Sequence, residues 1–256
     1  MENYRLFKQS NSSKFLKLAE IKKNKMKAIF DSLAHNYDFA NTIMSFGIHH
    51  YWRKFALAQT HLKPGEKALD LCCGTGMITA DLAEQVGPAG SVIGMDLSGE
   101  MLMVAEKRLQ KRDVAKRVKL IQGNASELPF PAESFDCVTI GYGLRNVLDP
   151  ERVLTECHRV LKPGGAIVAI ESAKPAFPLF RTAYYAYLKY WIPLVGRIIC
   201  HNQSAYCYLG DSIIDFPSPQ IIADLFCKAE FNEVNYTILT LGIIAVFTGK
   251  KINPSF

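Results

Sequence analysis

The chain has 256 residues, 49% of them hydrophobic and 21% charged, with seven cysteines and a net charge of +6. A chain this long buries roughly 70–75% of the surface it exposes when unfolded, so it needs no staple, and its composition excludes a disordered or collagen-like protein. Residues 1–30 hold eight Lys or Arg against two Glu, which is the whole excess. Past them no basic surplus remains to meet phosphates, so nucleic acid is excluded as a partner.

Residues 1–29 read as a basic N-terminal segment and 30–256 as one domain. The segment is either a solvated tail or a peripheral contact to an anionic membrane surface. No apolar run follows its charges, so it is not expected to be a signal peptide. The cysteines are odd in number and form no C-x-x-C pair. No metal is expected, and a reducing, cytoplasmic compartment fits.

In chain order, "KALDL" (67–71), "SVIGMD" (91–96), "RVKLIQ" (117–122), "FDCVTIG" (135–141) and "GAIVAIE" (165–171) read as strands. Helices are expected near 77–87, 98–112 and 150–161. Strand, helix, strand at this spacing makes crossover units and a parallel sheet. The turns "KPGE" (63–66) and "KPGGA" (162–166) enter the first and fifth strands. "NEVNYTIL" and "IIAVFTG" read as a closing antiparallel pair at the sheet edge. The fold class is therefore α/β: a doubly wound, mostly parallel, Rossmann-like seven-stranded sheet with an antiparallel edge.

Residues 172–218 interrupt this rhythm with the aromatic run "LFRTAYYAYLKYWIPLVGRIIC" (179–200). Arg181, Lys189 and Arg197 argue against a membrane span, and Pro193 is expected to break a helix. The segment follows the fifth strand, above the carboxyl edge where open α/β sheets bind ligands. It reads either as a substrate lid or as a helical pair packed on the core.

"LDLCCGTGM" (69–77) leaves the first strand with glycines at 74 and 76, which let a ligand approach the backbone. Asp96, ending the second strand, is placed to accept hydrogen bonds from ribose hydroxyls. A dinucleotide fingerprint needs a third glycine where Thr79 stands. An acid with G-x-G and no third glycine suits S-adenosylmethionine. Asn124, after the third strand, is placed for the adenine edge. Cys72 and Cys73 are expected to be small packing residues.

The segments "FDSLAHNYDFANTIMSFGIHHYWR" (30–53), "LDLCCGTG" (69–76), "LPFPAESFD" (128–136), "YGLRNV" (142–147) and "YLGDSIIDFP" (208–217) together resemble the ubiquinone/menaquinone biosynthesis C-methyltransferases. The resemblance implies a class I methyltransferase that uses S-adenosylmethionine to methylate a ring carbon of a prenylated quinol, demethylmenaquinol or a ubiquinone precursor. Another lipid or aromatic acceptor, or a non-catalytic cofactor-binding module, stands as the alternative.

The family pattern implies cofactor contacts from Asp70, Gly74, Thr75, Gly76, Asp96, Leu97, Asn124, Ala125 and Gly141, with Tyr37 closing over them. Gly141 stands where many relatives carry a serine, so that contact is expected to be lost. Arg145 and Asn146 are implied to face the methyl-transfer site. A quinol carbon becomes nucleophilic when a ring hydroxyl loses its proton. Arg145, always protonated, suits a charge that stabilises the phenolate, with an ion pair to Asp149 as its structural alternative. His49, Tyr184, Tyr187, Trp191 and Tyr206 are expected to line the acceptor site, and His49, His50 and His201 are candidate proton acceptors. A homodimer is compatible with the sequence.

Overall fold

The computed structural model describes residues 20–252. Most of the basic segment therefore lies outside the described residues. Residues 20–33 form one helix (α1), so the boundary drawn from charge at 29/30 falls within a helix. Two helices follow, α2 (Tyr37–Met44) and α3 (His49–Ala58). The sheet then begins with β1 (Lys67–Leu71), α4 (Met77–Val86), β2 (Ser91–Asp96), α5 (Gly99–Lys111), β3 (Val118–Gln122), β4 (Phe135–Gly141), α6 (Pro150–Val160) and β5 (Leu161–Ser172). Past β5 come α7 (Pro178–Ala186), α8 (Ile192–Ile199), α9 (Gln203–Asp215), α10 (Pro219–Lys228), β6 (Asn232–Leu239) and β7 (Ile244–Lys250).

The seven strands lie in the order β3-β2-β1-β4-β5-β7-β6. Pairs among β1–β5 are parallel, and β7 runs antiparallel to both β5 and β6. β1 is the innermost parallel strand, and Ala68, Leu69 and Leu71 have no exposed surface, as a strand covered on both faces requires. The chain leaves β1 toward β2 and returns on its other side as β4. That reversal opens a crevice above the carboxyl ends of β1 and β4.

Local chemistry sets the helix starts. Ser98 caps α5 by accepting from the Met101 amide, and Asp149 caps α6 by accepting from the Arg152 amide, with Pro150 in the first turn. β5 begins four residues before the expected 165. The "KPGG" turn is absorbed as an irregularity between the Phe135–Leu161 and Cys137–Ala166 pairs, and the Gly164 amide donates to the Lys251 carbonyl (2.7 Å).

The insertion is helical, and Pro193 does not break it. α7 runs into α8 through a π-helical turn at Tyr187–Trp191, where the Ile192 amide reaches back to the Tyr187 carbonyl. The wider turn seats Pro193 at the start of α8, where a missing N–H and a fixed φ are tolerated. α7–α9 share one core with α1 and α2, built from residues such as Leu33, Met44, Tyr184, Leu188 and Tyr206. The segment is thus both a packed helical unit and a roof over the crevice.

The α8–α9 contact depends on Gly196, where a β-carbon would stand 2.2 Å from the Tyr206 ring. Gly196→Ala is expected to cost about 1–3 kcal/mol by overpacking, seen as a lower urea midpoint at an unchanged m-value. An unchanged midpoint would show that α8 and α9 are not tightly docked.

Candidate active site

The loop after β1 has left-handed backbone at Cys72 (φ 54°), Gly74 (φ 52°) and Gly76 (φ 74°). The two glycines do different work. A β-carbon on Gly76 would lie 2.8 Å from that of Ala105, so this glycine lets α4 and α5 approach. A β-carbon on Gly74 would meet nothing within 4 Å, so the backbone there faces open space. The two thiols pack as expected: Cys72 fills the space beside Gly143, and Cys73 lies against Gly94. Burial pushes both thiols up, away from reactive thiolate.

Two carboxylates, Asp96 and Asp38, bond this loop, and a third, Asp70, ties together the elements beneath it. Asp96 Oδ2 accepts from the Gly74 amide (2.8 Å) and Oδ1 from the Ser98 amide (2.9 Å). Each oxygen keeps a lone pair for a ribose hydroxyl. Burial raises the Asp96 pKa, opposed by those backbone donors. Asp70, expected to touch the cofactor, borders the cavity floor. Both its oxygens are engaged by threonine hydroxyls, from Thr79 (2.6 Å) and Thr139 (2.7 Å). The Thr75 hydroxyl, also expected to touch the cofactor, donates instead to Asp38 Oδ1 (2.7 Å) on α2. Arg108 pairs with Asp38, and its Nε donates to the Thr75 carbonyl (2.8 Å).

Two cavities meet at the loop. The smaller, about 120 Å³, is bordered by Asp96, Leu97, Asn124 and Ala125. Asn124 Oδ1 accepts from the Ser126 amide (3.1 Å), which leaves its amide nitrogen free for a ligand. The larger, about 460 Å³, is bordered by His49, Tyr184, Tyr187 and Tyr206. Tyr37, Cys72, Gly74, Gly141, Tyr142 and Asn146 border both. Trp191 does not join them; it stacks on Phe46 at 6.1 Å outside the cavity, because the π turn rotates it outward. His201 borders neither cavity among the described residues. Ile78 occupies the space a side chain at 141 would take, with its Cδ1 2.5 Å from a β-carbon built on Gly141.

Asn146 borders both cavities and Arg145 the larger one, and Arg145 does not pair with Asp149. Its partner is Glu171, at the end of β5, and both side chains are buried. Arg145 Nη1 also donates to the Tyr142 carbonyl (2.9 Å), and the Arg145 amide donates to Glu171 (3.2 Å). The charge beside the larger cavity is therefore a neutralised pair. Asn146 donates to the Tyr142 carbonyl (3.1 Å) and accepts from the Tyr208 hydroxyl (3.2 Å). Glu171 and Tyr208 were not singled out by sequence. The signal for Glu171 was an acid closing an otherwise apolar strand at the carboxyl edge.

The Ser45 hydroxyl donates to the Asn41 carbonyl (2.7 Å), so its contact with His49 Nδ1 (2.7 Å) makes Nδ1 the protonated nitrogen and leaves Nε2 with a lone pair. Burial, with the nearby His50 and Arg53, holds the His49 pKa down to about 4, so the ring is neutral near pH 7. Nε2 of His49, the Tyr142 hydroxyl and Nε of Arg145 are buried without partners among the described residues. Native structures seldom leave such groups unpaired, and all three belong to residues around one cavity.

This sheet order, the open Gly74 face and the Asp96 carboxylate define a class I S-adenosylmethionine-dependent methyltransferase, and the residues present fit that cofactor. The structure resembles an S-adenosylmethionine-dependent methyltransferase of Thermotoga maritima (TM-score 0.58, 23% identity, covering 88% of this chain and 99% of that one). It also resembles phosphoethanolamine N-methyltransferase 2 of Haemonchus contortus in complex with S-adenosyl-L-methionine (TM-score 0.58, 17% identity, covering 79% and 53%). The chain is 42% identical over 234 residues to demethylmenaquinone methyltransferase of Geobacillus stearothermophilus, covering 91% of this chain and 100% of the relative. It is 42% identical over 226 residues to the same-named protein of Lactiplantibacillus plantarum, covering 88% and 95%. The family model for the ubiE/COQ5 methyltransferase family matches residues 18–251, and the chain belongs to that family. It is an S-adenosylmethionine-dependent enzyme of C-methylation in quinone biosynthesis.

Burial drives the Asp70 pKa from 3.8 up to about 7, against the two threonine donors. The folded state then binds this proton more tightly than the unfolded state, so stability falls as pH rises from about 4 to about 7. Asp70→Asn is expected to make that fall shallower in urea unfolding across this range. An unchanged slope would place its source elsewhere.

Proposed function

We propose that the chain methylates the ring carbon beside a hydroxyl of a prenylated naphthoquinol, converting a demethylmenaquinol to the menaquinol. The name of the relatives supports the ring, and the apolar larger cavity with its three tyrosines supports the tail. The single observation that carries the reading is the junction of the two cavities at Gly74, Gly141, Tyr142 and Asn146.

Asp96 grips the ribose, while Leu97, Asn124 and Ala125 hold the adenine end. Bound S-adenosylmethionine supplies a methyl group on a positively charged sulfur. Tyr184, Tyr187 and Tyr206 flank the start of the isoprenoid tail. His49, neutral and with a free lone pair, accepts the ring hydroxyl proton. Arg145, held by Glu171, and Asn146, held by Tyr208, present hydrogen-bond donors to the oxygen as it becomes a phenolate. Donors already oriented for a developing oxyanion need no reorganisation when charge appears. The ring C–H proton leaves to water after methyl transfer, and the oxygen regains its own from His49. A smooth wall at Gly141, filled by Ile78, keeps this side of the junction apolar.

Purified protein incubated with S-adenosylmethionine and a short-tailed demethylnaphthoquinol is expected to give a product heavier by one CH2, methylated on carbon. An oxygen-methylated product, or preference for a benzoquinol run in parallel, would overturn the ring assignment.

Removing one partner of a buried ion pair costs about 3–5 kcal/mol, so Arg145→Ala threatens folding. Arg145→Lys keeps the charge and loses the planar fork. It is expected to leave cofactor affinity in calorimetry within about twofold while turnover drops about 10²-fold, the usual cost of removing an oxyanion donor. Full turnover in that variant would remove Arg145 from the chemistry.

A further inference from the structure

The larger cavity reaches solvent where Phe46 and Ile48 both border it and are exposed. Two other segments bring exposed apolar side chains to cavity-bordering positions. Phe177 and Leu179 precede Phe180, which borders the cavity, and Leu241 follows Thr240, which also does. Leu179 and Leu241 are 75% and 76% exposed. The segments touch: a β-carbon on Gly242 would lie 2.8 Å from the Pro175 backbone, and Phe46 stacks on Trp191. Large apolar side chains gathered at a cavity mouth mark a contact surface rather than ordinary scatter.

The charge on these segments has one sign. No Asp or Glu occurs in residues 39–65, 172–200 or 239–252, whereas Lys54, Arg181, Lys189 and Arg197 are all exposed there. Exposed apolar and aromatic side chains on segments whose only charges are cationic complement a bilayer with anionic headgroups. Tyr190, Trp191 and Tyr51 are exposed on the same helices, and such rings favour the headgroup level.

We propose that the mouth of the larger cavity docks on an anionic lipid bilayer through Phe46, Phe177, Leu179, Trp191 and Leu241, so that a tailed acceptor passes from lipid into the cavity. The proposal rests on the acceptor reading above for its cargo, but the surface itself does not. It moves the membrane contact from the basic N-terminal segment to the helical roof.

The test uses the full chain and flotation with vesicles of phosphatidylcholine, with and without phosphatidylglycerol. The wild type is expected to float with the anionic vesicles and less with the neutral ones. The triple variant Phe177→Ser/Leu179→Ser/Leu241→Ser is expected to lose at least about tenfold in partitioning, since each side chain removed gives up several buried CH2 groups. Its turnover on a tail-less, water-soluble quinol is expected to match the wild type, which also shows that it folds. Its turnover on a long-tailed quinol held in anionic vesicles is expected to fall. A wild type that does not float, or a variant that floats equally, overturns the proposal. So does a dimer in sedimentation velocity that the triple variant dissolves while flotation is unchanged, which would assign the face to a second copy. Failure of the wild type on the tail-less quinol would strike the ring chemistry and leave the flotation result standing.

Discussion

A loop with left-handed backbone at Cys72, Gly74 and Gly76 holds one shape only if its surroundings fix it, and three carboxylates beside it do so. Asp70, just before it, ties β1 to α4 and β4 through Thr79 and Thr139, Asp96 takes its Gly74 amide, and Asp38 takes the Thr75 hydroxyl. Each acid belongs to a different element: β1, β2 and α2. The loop is therefore the point where the sheet and the helical roof are joined. Because Arg108 of α5 closes on both Asp38 and the Thr75 carbonyl, α2 cannot lift without disturbing the loop.

The second joint is the Arg145–Glu171 pair between the ends of β4 and β5. Burying both charges is costly, and such pairs are weak evidence for stability. Its use here is directional. With Nη1 engaged by Glu171 and by the Tyr142 carbonyl, the guanidinium is held in one orientation beside the larger cavity, its Nε without a partner among the described residues. The bare cation expected from sequence becomes an oriented set of donors in a neutral pair.

Much of the sheet was legible because its signals are local. Branched apolar runs bounded by Gly and Pro turns marked β1, β2 and β4 to the residue, and the G-x-G loop with Asp96 was readable by spacing alone. What sequence did not show was which partner each polar group takes. Asp149 lies near Arg145 in the chain but caps α6, while Glu171 is distant in the chain and adjacent in space. Thr75 and Asp70 fit a cofactor role by position, yet their polar atoms are engaged by protein groups brought there by long-range packing. That Pro193 does not break the helix, and that Trp191 stacks on Phe46, have one reason: a π turn has no sequence signature comparable to an amphipathic period.

That π turn has a consequence for how the roof tells inside from outside. One additional residue in a helical turn rotates everything after it by roughly 100° about the helix axis. Before the turn, Tyr184 points inward; after it, Ile192 and Val195 take over the inner face while Leu194 and Ile198 look out. The wider turn absorbs that residue: a single-codon deletion between Tyr187 and Trp191 would restore regular winding and leave Ile192 and Val195 on the inner face, whereas regular winding at the present length would carry them round by about 100°, so the length of this one stretch, more than its composition, decides which apolar side chains the helix keeps to itself.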